Sequence, residues 1–138
     1  FINVGTGKTI EKTNEVWDIP YISDPTTMAK YYSAADVYLY PTLADNCPLV
    51  VLESMACGLP VVTFKTGGVP ELVVHNKTGY VAEYKNVDDL NKGLNQLLGN
   101  NDLRCEMSKE AINHVNENFT LEKMNENYLK LYNEILGS

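Results

Sequence analysis

Residues 37–64 read VYLYPTLADNCPLVVLESMACGLPVVTF. Val37-Tyr38-Leu39-Tyr40 is a β-branched and aromatic run without polar alternation, which predicts a strand covered on both faces. A polar turn leads from it into a helix over roughly Leu49 to Ala56, which stops at Gly58 with Pro60 behind it. Val61–Phe64 is then a second buried strand. A strand, a helix and a strand in this order predict a parallel pair with a crossover helix, hence an α/β fold. Ligands of such sheets bind outside the carboxyl ends of the strands.

The flanking segments extend the pattern. Phe1–Val4 reads as a strand that begins without a lead-in, as if the chain continued upstream, and Val16–Asp18 as a weak second strand. Asp24 as N-cap and Pro25 in the first turn open a helix to about Ala35. Gly67-Gly68-Val69-Pro70 reads as a loop and Gly79-Tyr80-Val81 as a short final strand. After Tyr84 the character turns helical. Asp88 is expected to cap a helix with Leu90, Leu94, Leu97 and Leu98 on one face, and Leu103, Met107, Ala111 and Val115 repeat the stripe. Thr120 can cap a last helix striped by Leu121, Met124, Tyr128, Leu131 and Ile135, and these stripes are read as packing faces. The organisation expected is one domain over 1–138, with a sheet and crossover helices in 1–84 and C-terminal helices in 85–138.

The 138 residues carry 18 Asp+Glu against 11 Lys+Arg, a net charge of −7. That balance argues against nucleic acid, since little here could neutralise a run of phosphates, and against contact of this domain with an anionic membrane. No apolar run approaches the roughly 20 residues that span a bilayer. Phe1–Val4 has no basic lead, so no signal peptide is expected. Cys47, Cys57 and Cys105 are odd in number and widely spaced, which fits reduced thiols in a cytoplasmic protein better than a disulfide framework or a zinc site. His75 and His114 have no companions at metal spacing and are expected at the surface.

Three loops follow the buried strands. Gly5-Thr6-Gly7-Lys8-Thr9 invites a phosphate-loop reading, but Ile2 stands where the leading glycine belongs. Ile10 likewise breaks a dinucleotide fingerprint, so a strand-end turn is the better reading. In the second loop, Asp45 and Asn46 are natural N-cap or turn residues and Pro48 suits the first helical turn. The backbone N–H groups of Leu49 and its neighbours then form an anion site at the helix N-terminus. Glu53 lies about 6–8 Å further along the axis. Two carboxylates thus bracket one anion site, an order that matches a diphosphate with a sugar at each end, because carboxylates accept from paired hydroxyls. A catalytic carboxylate pair for glycoside hydrolysis is the competing functional reading. A simple helix cap at Asp45 with a solvated Glu53 fits the same residues. In the third loop, Gly67 and Gly68 permit either close approach of backbone to a ligand or a tight turn.

The ordered segments DNCPLVVLE (45–53), SMACGLPVV (54–62) and TGGVPELV (66–73) resemble the donor half of retaining glycosyltransferases of family 4, which have the GT-B fold. Tyr32-Ser33-Ala34-Ala35-Asp36-Val37 and Asn76-Lys77-Thr78-Gly79-Tyr80-Val81 fit the same pattern. The resemblance implies a Rossmann-like sheet forming one half of that fold. Its Glu-x7-Glu motif falls on Asp45 and Glu53, implying that Asp45 contacts the transferred sugar and Glu53 the ribose. It further implies that the backbone of Asn46, Cys47, Pro48, Leu49 and Val50 holds pyrophosphate and sugar, and that Tyr21 and Ile22 lie against the base. The chain departs from the pattern in having Asp for the first acid and Asn-Cys-Pro for a glycine-rich turn.

The function expected is therefore donor binding for transfer of a hexose from a nucleotide sugar to a hydroxyl acceptor, in cell-surface glycan or polysaccharide synthesis. The family's phosphate-binding Arg and Lys and its N-terminal acceptor domain are expected upstream of Phe1, so residues 1–138 alone are expected to be inactive. No Asp-x-Asp occurs, so no metal or other cofactor is expected. The location expected is cytoplasmic, with peripheral membrane association left open for the full-length protein. An exposed stripe on the last helix is expected to favour self-association. The rival reading is a non-catalytic nucleotide- or phosphate-binding domain on the same fold.

Overall fold

The computed structural model describes residues 1–7, 11–13 and 15–137, which form two compact units, 1–34 and 35–138. The first unit contains β1 (Ile2–Gly7), β2 (Glu11–Thr13), β3 (Val16–Pro20) and α1 (Pro25–Ala34), with strand order β1-β3-β2. β1 runs parallel to β3, with Ile2 opposite Trp17 and Val4 opposite Ile19. β2 runs antiparallel to β3, a departure from the all-parallel sheet that the apolar pattern predicts. Its residues, Glu-Lys-Thr, carry no apolar signal in the sequence, and the strand is defined by its pairing with β3. β1 continues through Gly7, with an irregularity between Val4 and Gly7, where a turn was expected. Lys8, Thr9 and Ile10 of the phosphate-loop reading lie outside the described residues. Asp24 caps α1 as expected, its Oδ2 accepting the Thr27 N–H at 2.8 Å.

The second unit is built on three parallel strands in the order β4 (Tyr38–Tyr40), β5 (Val61–Phe64), β6 (Gly79–Ala82). α2 (Leu49–Ala56) connects β4 to β5, at the bounds its sequence predicts. Every residue of β5 is buried, and the strand's twofold period divides the core. Val61 faces Val51 and Met55 of α2, together with Val69, Leu72, Val73, Ala111 and Val115. Val62 and Phe64 face Tyr80, Ala82, Leu90, Leu97 and Met107. Helices therefore cover both faces of β5, as a parallel sheet requires.

Between β5 and β6 the segment expected to be loop contains a single helical turn, α3 (Val69–Leu72), with Pro70 early in it. Its burial of Val69 and Leu72 stabilises a turn too short to stand alone. The C-terminal helices are α4 (Val87–Leu98), α5 (Asn101–Asn118) and α6 (Leu121–Leu136). Asn86, not Asp88, caps α4 by accepting the Asp89 N–H; Asp88 lies inside the first turn, where its charge favours the helix dipole. Asn100 and Thr120 cap α5 and α6. In the stripe Leu90 and Leu97 are buried as read, Leu94 is half-buried and Leu98 is exposed. His114 is half-buried rather than a surface residue, its ring edge-on to Phe119.

Gly58 has φ of +75°, and a Cβ there would come within 2.7 Å of Ser108 Oγ, so it ends α2 and admits α5. No helix among the described residues is long and apolar enough to cross a membrane. α6 buries none of its residues, although its sequence pattern reads as a packing stripe. Leu121, Met124, Tyr128, Leu131 and Ile135 are all exposed, between 47% and 72%. An apolar face of this length seeks a partner. Residues 1–138 in isolation are expected to self-associate with rising concentration in sedimentation velocity, and a single monomeric species throughout would contradict it.

Candidate functional site

The loops that leave β4, β5 and β6 in the second unit gather at the carboxyl ends of the strands. Thr66 Oγ1, after β5, and the Tyr84 hydroxyl, after β6, each donate to the Leu43 carbonyl oxygen at 3.1 Å. Gly68 N–H donates to the Asp45 carbonyl at 3.2 Å. A Cβ at Gly67 would run into the Asp45 carbonyl oxygen, and one at Gly68 into that of Asn46. Gly67 has φ of +50°. The two glycines therefore allow backbone to lie directly on backbone, and the close approach visible here is to the Asp45–Asn46 loop.

Asp45 is half-buried and turned inward. Its Oδ1 accepts the Cys47 N–H at 3.1 Å, closing an Asx-type turn, and its Oδ2 accepts the Tyr40 hydroxyl at 2.8 Å. Tyr40 carries no functional signal in the sequence, where it reads only as the end of a buried strand. Of the two roles the sequence allows, N-cap or turn, Asp45 takes the turn, and neither Asp45 nor Asn46 caps α2. The N-cap position belongs to Pro48, one residue ahead of the helical turn it was expected to join, and no side chain caps the helix. The Asx turn takes the carboxylate that a cap would need; Val51 N–H donates to the Pro48 carbonyl at 3.0 Å, and the Leu49 and Val50 amides have no side-chain cap and face water or a ligand.

Glu53 is exposed on α2. Its charge and that of Tyr40 act on Tyr38, whose hydroxyl is pushed up to about 12, chiefly by burial. Tyr40 is also raised, by burial first and then by the hydrogen bond and the charge of Asp45. The rings of Tyr38 and Tyr40 stack at 5.9 Å with 18° between their planes, as expected for alternate residues on one face of a strand. This strand-end surface, where a crevice is expected outside the carboxyl ends of a parallel sheet, carries in order a constrained carboxylate, a helix start without a side-chain cap and an exposed carboxylate. Asn46, Cys47, Leu49 and Val50 are exposed there, while Pro48 is buried.

Tyr21 and Ile22 belong to the first unit, where they follow β3; Tyr21 is exposed and Ile22 half-buried. Lys65 forms an exposed, long ion pair with Glu83 at 3.9 Å. His75, though exposed, accepts the Val81 N–H through Nδ1 at 3.0 Å and braces the strand after the α3 turn. Shallow depressions of about 300 Å³, beside Trp17 and Tyr31, and about 250 Å³, beside Leu39 and Leu94, contain none of the crevice residues.

The family model described as glycosyl transferases group 1 matches residues 10–114. An uncharacterized glycosyltransferase of Haemophilus influenzae is 32% identical over 123 residues, 88% of this chain and 35% of the relative. N-acetyl-alpha-D-glucosaminyl L-malate synthase of Bacillus anthracis is 30% identical over 84% of this chain and 30% of its own length. The solved structure of sucrose-phosphate synthase from Thermosynechococcus elongatus superposes with a TM-score of 0.79 at 27% identity, covering 88% of this chain and 30% of that one. The chain thus spans about one third of the length of these relatives.

The glycine contact makes a direct prediction. Gly67→Ala should destabilise the second unit by about 1–3 kcal/mol, through the clash and the left-handed backbone together. Urea unfolding followed by circular dichroism measures it, and an unchanged midpoint would show that the loops part without cost.

Proposed function

This chain belongs to the group 1 glycosyl transferase family, with the α/β architecture of GT-B glycosyltransferases, and we propose that it is the nucleotide-sugar donor-binding domain of a retaining hexosyltransferase. The observation that carries the reading is the order of groups along one crevice: Asp45, the uncapped start of α2, then Glu53. Glu53 accepts from the ribose hydroxyls of the donor. The backbone from Asn46 to Val50 meets the pyrophosphate, where the α2 dipole and first-turn amides favour negative charge. Gly67 and Gly68 line the same crevice. Asp45, as the catalytic carboxylate, accepts from hydroxyls of the transferred sugar.

In the reaction, the bond between the sugar's anomeric carbon and the diphosphate breaks, and one to the acceptor oxygen forms with retained configuration. The acceptor hydroxyl's proton passes to the departing nucleoside diphosphate. Charge on that leaving group is met by α2 amides preorganised toward it and by basic residues elsewhere in the whole protein, without a metal. The acceptor domain likewise lies in the rest of the protein, and the acceptor belongs to cell-surface glycan or polysaccharide synthesis. Residues 1–138 alone transfer no sugar, since they form about a third of a relative's length.

Calorimetric titration of the whole protein with UDP, GDP, ADP and their sugar conjugates tests this. One nucleotide should bind, and Glu53→Ala should weaken it at least about tenfold, as loss of a charged hydrogen-bond acceptor does. Binding of none, or indifference to the substitution, would overturn the donor site. A second reading has its own observation, that both Asp45 oxygens already accept bonds within the chain: a binding domain without catalysis. Donor hydrolysis or transfer by the whole protein, even slow, excludes that second reading; nucleotide binding with no turnover supports it.

A further inference from the structure

We infer that Tyr40 is a positioning residue for the donor's sugar: its hydroxyl holds the Asp45 carboxylate in the one orientation from which it can receive sugar hydroxyls. The inference rests on the donor-binding reading above and adds a residue to it.

The anchor is rigid at its base. Tyr40 ends β4, where its backbone pairs with Thr63, and its ring stacks on Tyr38 and packs against the core around Val51 and Met55. From there the hydroxyl reaches Oδ2 at 2.8 Å, while Oδ1 takes the Cys47 N–H at 3.1 Å. Two donors, from strand and loop, leave the short Asp side chain no second position that satisfies both. Each carboxylate oxygen still has a lone-pair site beyond the bond it already accepts, so the group remains open to a ligand's hydroxyls. Burial and the adjacent carboxylate raise the Tyr40 hydroxyl above its ordinary value, so it stays protonated, and therefore a donor, through neutral pH. Removing this hydroxyl frees Asp45 to rotate but leaves the ring, its stack and its core contacts intact.

Tyr40→Phe in the whole protein is the test, read as the ratio of affinity for the nucleotide sugar to affinity for the bare nucleoside diphosphate. The bare nucleotide, held by Glu53 and α2, should bind within about twofold of wild type, while the sugar conjugate weakens about tenfold, the scale of one charge-assisted bond. Asp45→Asn should weaken it similarly, and the double variant no further, because the two residues act as one unit. A general loosening of the loop would instead weaken both ligands together and add to the Asp45 change. In a ¹³C titration of the tyrosine Cζ signals, Asp45→Asn should bring the Tyr40 transition down toward the ordinary phenol range. A Tyr40→Phe protein that keeps the full sugar preference overturns this inference and leaves the donor site standing. A wild-type protein that binds neither ligand overturns the donor site, and the inference with it.

Discussion

Backbone pressed on backbone, Gly67–Gly68 against Asp45–Asn46, is the contact on which the arrangement of the crevice depends. Two loops that leave neighbouring parallel strands diverge unless something ties them, because side chains at the junction hold the chains apart. With no side chain at either glycine, the Gly68 N–H reaches the Asp45 carbonyl, and the Asp45 loop is clamped from behind. The clamp lets Asp45 spend its side chain on Tyr40 and Cys47 rather than on capping α2. An uncapped helix start is the consequence, and it is the feature that makes the crevice receptive to an anion. Thr66 and Tyr84 fasten the same loop one step earlier, at Leu43, so all three strand-end segments contribute.

The rest of the second unit keeps that junction in place. β5, buried along its length, is the shared wall of two clusters, one under α2 and one under α4. Asp89 joins the far side by accepting the Glu83 N–H and the Tyr80 hydroxyl, which, in that order, hold its carboxyl below the ordinary range and bind the start of α4 to the end of β6. Arg104 closes the other end of α4, its guanidinium donating to the Leu97 and Leu98 carbonyls. α6 takes no part in either cluster, and its apolar stripe contributes nothing to the core described here.

Legibility in the sequence followed the physics of each signal. α2 and β5 were readable to the residue, because an apolar run between a Pro-bearing turn and Gly58–Pro60 leaves one register for each. β2 was unreadable: a strand of Glu, Lys and Thr is defined by hairpin pairing with the β3 that follows it, and that pairing leaves no apolar trace. α3 was hidden by its Gly-Gly-Val-Pro composition, which signals a turn whether or not one helical turn follows. For the caps, Asp88 and Asn86 are chemically equal candidates, and only the strand exit sets which one precedes the helix. At the crevice, Asp45 and Glu53 could be picked out as carboxylates flanking a helix start. The bond from Tyr40 could not, since nothing in a buried β-strand pattern says where a phenol hydroxyl ends. The family motifs, in turn, pointed to the right glycosyltransferase architecture because they record the loop junction itself: acid, turn, helix start and paired glycines.

The central claim is that the donor's diphosphate sits at the start of α2, between Asp45 and Glu53. Amide chemical-shift mapping of the whole protein, titrated with UDP, GDP and ADP, tests it most directly. The account predicts saturable shifts concentrated at Leu49, Val50, Gly67 and Gly68 for one of the three. Saturable shifts centred elsewhere, at α4 or the first unit's sheet, or no shifts with any nucleotide, would contradict it.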